Sequence, residues 1–221
     1  MTDRTDGAGK TADSAAAVPL DDAALRDRVA ELRSGFGAVD SLARFRAPVN
    51  PEEPTEVPDE VVIALADGVP APGFTSYATV DMGRFPTNVT DADGREVATE
   101  LVTVGRTAHR AAADVLARAA FAIAAGSIHV VPLAVIPSAV AEADPDRTMR
   151  HLLLVLPFLW PELEILAEPD TADGTVRTRL QAVPISDSEL AYADTHGRQA
   201  LFDLLESAGA DVSDIDRRPV A

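Results

Sequence analysis

The chain has no cysteine, which excludes disulfides, thiolate metal sites and cysteine nucleophiles. Cationic residues are scarce. Asp and Glu number 36 against 19 Lys and Arg, a formal charge of −17. Phosphate backbones and anionic lipid are bound through clusters of Lys and Arg, so nucleic acid and membrane surfaces are not the expected partners. Lys10 is the only lysine; with so much alanine, this reads as the codon bias of a GC-rich genome. No stretch approaches the roughly 20 apolar residues that span a bilayer. The first residues mix Asp3, Asp6 and Asp13 with Arg4 and Lys10 and contain no apolar core, so they are not read as a secretory signal. A cytoplasmic location is the expectation.

Reactive motifs are also missing. His109, His129, His151 and His196 include no pair four residues apart and no HExxH pattern, so no zinc site is expected. No G-x-S-x-G elbow occurs. Gly7-Ala8-Gly9-Lys10-Thr11 ends like a phosphate-binding loop, but Arg4 stands where the first glycine belongs and no strand precedes it. Asp91 to Glu96 is a poor fragment of a calcium loop and reads better as a hairpin turn. No catalytic residue, cofactor or metal ligand is assigned.

What is present is a chain of 221 residues, 47% hydrophobic, long enough for one well-packed domain. Residues 1–19 have little to bury and read as a disordered tail; 20–208 read as the domain and 209–221 as a C-terminal tail. Asp21 or Asp22 caps a helix to about Ser34, with Leu25, Val29 and Leu32 on one face and Gly35 and Gly37 ending it. Three strands are expected at Val61–Ala66, Phe74–Met82 and Val97–Val104. Thr107 is read as the cap of an alanine-rich helix ending before Gly126. Ile128–Ile136 reads as a buried strand, Ser138–Arg150 as a polar loop, and Leu152–Trp160 as the most apolar stretch, a central strand ending at Pro157 or Pro161. Val176–Ile185 is the last strand. Ser186-Asp187-Ser188-Glu189 has the form of a capping box opening a helix to about Ala193, and a second helix follows from Gly197 to Ala208. The fold class is α/β mixed (α+β), a central mixed β-sheet flanked by helices.

Between these elements, Pro48, Pro51, Pro54 and Pro58 mark an extended segment that carries an acidic strip. From Glu52 to Asp67 there are six acids and no Lys or Arg. Glu52, Glu53, Glu56, Asp59 and Glu60 are the candidate partner-binding residues, because opposite fields steer encounter with a basic protein. Asp203, Glu206, Asp211 and Asp214 are a second source of negative field. A solvated strip serving only solubility is the competing reading.

The C-terminal third, Leu180-Gln-Ala-Val-Pro-Ile-Ser-Asp-Ser-Glu-Leu-Ala-Tyr-Ala-Asp-Thr-His-Gly197, resembles the C-terminal signature of the suppressor of fused (SUFU) domain family. Earlier elements follow in the family's order: Thr79-Val80-Asp81-Met82, Glu100 to Gly105, the alanine-rich helix, Gly126-Ser127-Ile128-His129, and the apolar run before Trp160-Pro161. Where the family often has a tryptophan near the start of the helix after Gly105, this chain has Thr107-Ala108-His109-Arg110. The resemblance implies a mixed α/β domain with no cofactor and no enzymatic activity. Animal members clamp a short peptide of a zinc-finger transcription factor as an added strand, and bacterial members resemble immunity proteins that neutralise a toxin. The length suits the bacterial single-domain type. The resemblance therefore implies a protein partner, a toxin among the candidates. The alternatives are a small-molecule hydrolase, which would show a titratable cluster with shifted pKa in a cleft, and a house-keeping interaction domain. An apolar groove or open strand edge with an acidic rim would mark a binder.

Overall fold

The computed structural model describes residues 21–47, 60–85, 87, 89–108, 111–126, 128–163, 166–167 and 175–221. Asp21 opens the first helix by accepting from the Ala23 and Ala24 amides at 2.9 and 2.8 Å. This helix, α1 (Asp22–Phe36), stops where Gly37 takes φ 80, a left-handed conformation that favours glycine. Gly35 is needed for another reason: a Cβ there would lie 2.8 Å from the Leu163 Cα.

Strands β1 (Ser41–Arg46), β2 (Glu60–Asp67), β3 (Phe74–Thr79) and β4 (Val97–Arg106) pair antiparallel in sequence order. The chain then passes through α2 (Ala111–Ala124), β5 (Val135–Ile136), α3 (Ala139–Ala143), β6 (His151–Val155) and β7 (Leu166–Ala167). Strand β8 (Val176–Ile185) enters the middle, parallel to β4 on one side and antiparallel to β6 and β7 on the other. The result is an eight-stranded mixed sheet of order β1-β2-β3-β4-β8-β6-β5, with β7 beside β8. Helices α4 (Asp187–His196) and α5 (Arg198–Ser207) follow. The expected mixed sheet flanked by helices is what forms.

Helices cover both faces, so the strands read as apolar runs rather than as alternating ones. Val61, Ile63 and Leu65 of β2 pack under α2 with Leu152, Leu154, Leu180 and Ala182. Val62, Ala64 and Ala66 point the other way, toward Leu32 and Phe36 of α1 and Trp160. On that second face Leu153, Val155, Val183 and Ile185 meet Leu201 and Leu205 of α5. Successive side chains of one strand thus serve two different helical layers.

Several local expectations differ from the structure. Ile128–Ile136 is not one strand; a turn closes between Ala134 and Val131 (3.0 Å), Leu133 has φ 67, and only Val135–Ile136 is extended. The Ser138–Arg150 stretch contains α3. β6 ends at Val155, just before Pro157, the nearer of the two prolines expected to stop it. Thr107 does not cap α2; its amide donates to Gly73 O and its hydroxyl accepts from Thr75 at 3.0 Å. β1 was not anticipated, because its burial alternates only weakly along Ser41–Arg46. The segment after Gly209, set apart as a tail in the sequence, packs onto the domain. Ile215 and Arg217 are buried, and Ile215 O accepts from the Met149 amide at 3.0 Å. The residues 1–19 of the expected N-terminal tail lie outside the described residues.

Candidate binding site

The capping box forms as the sequence indicates, and it does more than cap. Ser186 Oγ accepts from the Glu189 amide at 3.2 Å, and Glu189 Oε2 accepts from the Ser186 amide at 2.9 Å. The same carboxylate takes a two-pronged ion pair from Arg217, 2.6 Å to Oε1 and 2.9 Å to Oε2, plus the Val220 amide at 2.9 Å. Arg217 also donates to Pro184 O at 3.0 Å. Glu189 is fully buried. Burial pushes its carboxyl upward, but Arg217 and the Ser186 and Val220 amides outweigh that and hold it below the usual range. These partners use its lone pairs, so Glu189 is a structural keystone between β8, α4 and the C-terminal segment.

A second carboxylate cluster lies beside a pocket of about 340 Å³ lined by Arg28, Asp81, Arg84, Glu96, Glu100 and Arg177, among others. Glu100, in β4, accepts from the Thr79 hydroxyl, the Met82 amide at 3.2 Å and the Gly83 amide at 2.8 Å. It thereby ties down the 3-10 turn Met82–Arg84. Gly83 fits closely, since a Cβ there would come 3.2 Å from Glu100 Oε1 and from the Ala98 Cβ. Burial is the main cause of a Glu100 pKa pushed up to about 7, and the neighbouring Asp81 adds to it. Asp81 is raised too, by burial, against the Val62 amide and Arg84. Asp81 accepts from Val62 N at 2.8 Å and pairs with Arg84 at 3.2 Å.

This cluster has the shifted carboxylates of an enzyme's cleft without the free geometry. Glu100 and Asp81 are engaged with backbone amides and with each other's turn. No Ser, His, Lys or Tyr lines the pocket among the described residues. His151 is similarly committed: Nδ1 accepts from the Ser138 amide and Nε2 faces Asp187, both at 2.9 Å. The Asp91 to Glu96 segment is the expected hairpin turn, closed by the Thr90–Glu96 bridge and by Asp91 accepting from the Arg95 amide at 2.9 Å.

The acidic strip is only partly placed. Glu52, Glu53, Glu56 and Asp59 lie outside the described residues. Glu60 opens β2, and its carboxylate pairs with Arg44 of the edge strand β1 at 2.5 Å. Its charge is thus partly spent within the sheet. Among the described residues no group of His, Asp and Glu could hold a metal ion, and no helix is long and apolar enough to cross a membrane.

Two apolar surface features complete the site. Leu42 is exposed on β1, and Leu156 and Phe158 are exposed after β6. Phe158 stands at the mouth of a groove of about 290 Å³ against α5. Sequence reasoning missed both Glu100 and this groove. Glu100 had a signal, a lone acid inside the apolar run Val97–Val104. Phe158 had none, because an apolar run read as one central strand implies burial throughout.

The family model for suppressor of fused protein (SUFU) matches residues 57–218. The chain belongs to the suppressor of fused family. The match runs past Gly209, in keeping with the packing of the C-terminal segment. Immunity protein YqcF of Bacillus subtilis (strain 168) is 35% identical over 160 residues, covering 72% of this chain and 80% of that protein. Among solved structures, a SUFU homolog from Neisseria gonorrhoeae FA 1090 superposes with a TM-score of 0.60 at 17% identity, covering 90% of this chain and 97% of the other. A chain of the Sufu–Fu complex gives 0.58 at 14% identity, covering 89% and 92%. Drosophila Suppressor of Fused gives 0.57 at 13% identity over 87% of this chain, which spans 50% of the fly protein's chain. These structures share the family fold.

Proposed function

We propose that this chain is a non-enzymatic protein-binding domain that acts in the cytoplasm as an immunity protein, neutralising a cognate toxin. The observation that carries the reading is the 35% identity to Immunity protein YqcF over 72% of the chain. Two others support it. The shifted carboxylates Asp81 and Glu100 are hydrogen-bonded to the Val62, Met82 and Gly83 amides, and His151 to the Ser138 amide, so each holds a turn or strand in place. The charge of −17 favours a basic partner, because opposite fields raise encounter rates.

The test is protection. A candidate toxin domain, taken from the genes neighbouring this chain's own, is expressed in a bacterial host with and without the chain. Growth arrest relieved by the chain, together with a complex of the purified proteins on size exclusion, is the expected result. Continued arrest and no complex would overturn the reading.

A further inference from the structure

The most apolar run of the chain, Leu152 to Trp160, is continuously buried as far as Val155, and Pro157 and Trp160 beyond it are buried again. Leu156 and Phe158 are 54% and 49% exposed. Pro157 ends the ladder between them, and the Phe158 amide is held by Gln181 Oε1 at 3.2 Å. That bond ties the Phe158 backbone to β8 beneath the exposed ring. The ring meets Phe202 of α5 edge to face, with centroids 6.3 Å apart. Phe202, Leu205 and Glu206 lie along one side of α5, and with Gly209, just past its end, and with Val183 and Val212 they line the groove of about 290 Å³. Gly209 and Ala210 keep its floor open.

No Lys or Arg lines this groove. Glu206 is on its wall, Asp203 lies one turn earlier on α5, and Asp211 stands between the lining residues Ala210 and Val212. Asp211 is spent on Arg106 at 2.5 Å and on Ser213. Asp203 accepts from the neutral Gln199 amide at 2.8 Å. Neither Asp203 nor Glu206 has an ion pair among the described residues, so their charge faces outward uncompensated.

We propose that the toxin docks here, through a segment that presents one or two large apolar side chains flanked by Arg or Lys. A groove of this volume suits a Leu or Phe anchor, and aromatic walls that exclude water are where interfaces concentrate their energy. The rim selects the flanks: a basic flank gains from Asp203 and Glu206, and an acidic one is repelled. The proposal rests on the immunity reading and names the surface that serves it.

The probe is the same toxin domain, inactivated at its catalytic residue for binding measurements and active for protection. Three variants are compared with wild type: Leu156→Ser/Phe158→Ser, Asp203→Asn/Glu206→Gln, and Leu42→Ser on the far sheet edge. All sites are at the surface, and a melting curve checks that each variant folds. The apolar double variant should dissociate at least tenfold faster and lose protection. The charge variant should associate several-fold more slowly at low salt with little change in dissociation. Leu42→Ser should bind as wild type does. If wild type protects and the groove variants protect and bind equally well, or if Leu42→Ser weakens binding as much as they do, the groove is not the docking site and the immunity reading stands. If wild type itself neither binds nor protects, the immunity reading falls, and the groove proposal falls with it.

Discussion

Glu189 does two jobs with one carboxylate. As the third residue of a capping box it is worth what such a cap is worth, and Ser186→Ala should lower stability by about 1 kcal/mol. As the buried counter-ion of Arg217 it is worth more, because removing one partner strands the other charge away from water. Arg217→Ala and Glu189→Ala should each cost about 3–5 kcal/mol in urea unfolding. A cost near 1 kcal/mol for Arg217→Ala would show that the pair is not held as described. The direction with pH follows from the depressed carboxyl. Glu189's contribution is present above the ordinary pKa of a glutamate and is lost as pH falls through its lower folded value. The sequence Ser186 to Glu189 declared the cap, since both partners lie within one turn. It could not declare Arg217, 28 residues further on, because nothing in local spacing reports a contact between a helix start and a distant segment.

At the scale of elements, Glu100 couples β4 to the turn after β3, and its pH behaviour is the reverse. Its folded pKa of about 7 lies above the ordinary glutamate value of 4.5, so between those values the folded chain holds a proton that the unfolded chain releases. Stability from this group is full below pH 4.5 and is lost as pH rises through 7, about 3 kcal/mol in all. Other carboxylates titrate over the same range, so the readable quantity is the difference between wild type and Glu100→Gln. Gln can place its Nε2 toward Thr79 Oγ1 and keep an oxygen for the Gly83 amide, while losing the Met82 amide bond, a cost that does not vary with pH. Between pH 4.5 and 7.5, denaturant melts should show that difference moving in the variant's favour by about 3 kcal/mol. A difference that stays constant with pH would mean that Glu100 titrates normally. The elements themselves were largely legible. Capped helices and β-branched strands announce themselves through local chemistry, as α1 and β8 do. β1 did not, since an edge strand needs no continuous apolar pattern; the Val131–Ala134 turn did carry a signal in Pro132, overridden by the apolar residues on either side of it.

For the whole molecule, the charge of −17 makes association salt-dependent. Exposed charges act over a Debye length of about 8 Å at physiological ionic strength. The Glu52, Glu53, Glu56→Gln triple variant should lower the association rate for the toxin and flatten its dependence on salt, with dissociation little changed. Stopped-flow or surface binding at low and high salt reads this directly, and an unchanged rate would assign the acidity to solubility alone. The acidic composition was plain in the sequence, but its placement was not. Which acids are spent inside the fold, as Glu60 is on Arg44, depends on pairings that only the assembled sheet creates.

The position of β8 has one more consequence, and it concerns the timing of folding. β8 is the last strand made, yet it sits between β4 and β6, and its parallel partner Leu101 lies 79 residues before Leu180. A chain emerging from the ribosome can zip β1 to β4 locally, but it cannot unite the two halves of the sheet until residue 185 is free. Contacts that close such long loops form late and slow the search. The β8 amides should therefore exchange with solvent only through global unfolding, and a nascent chain halted before Val176 should remain sensitive to protease. Any binding that depends on the assembled sheet would begin only after Ile185 has been made.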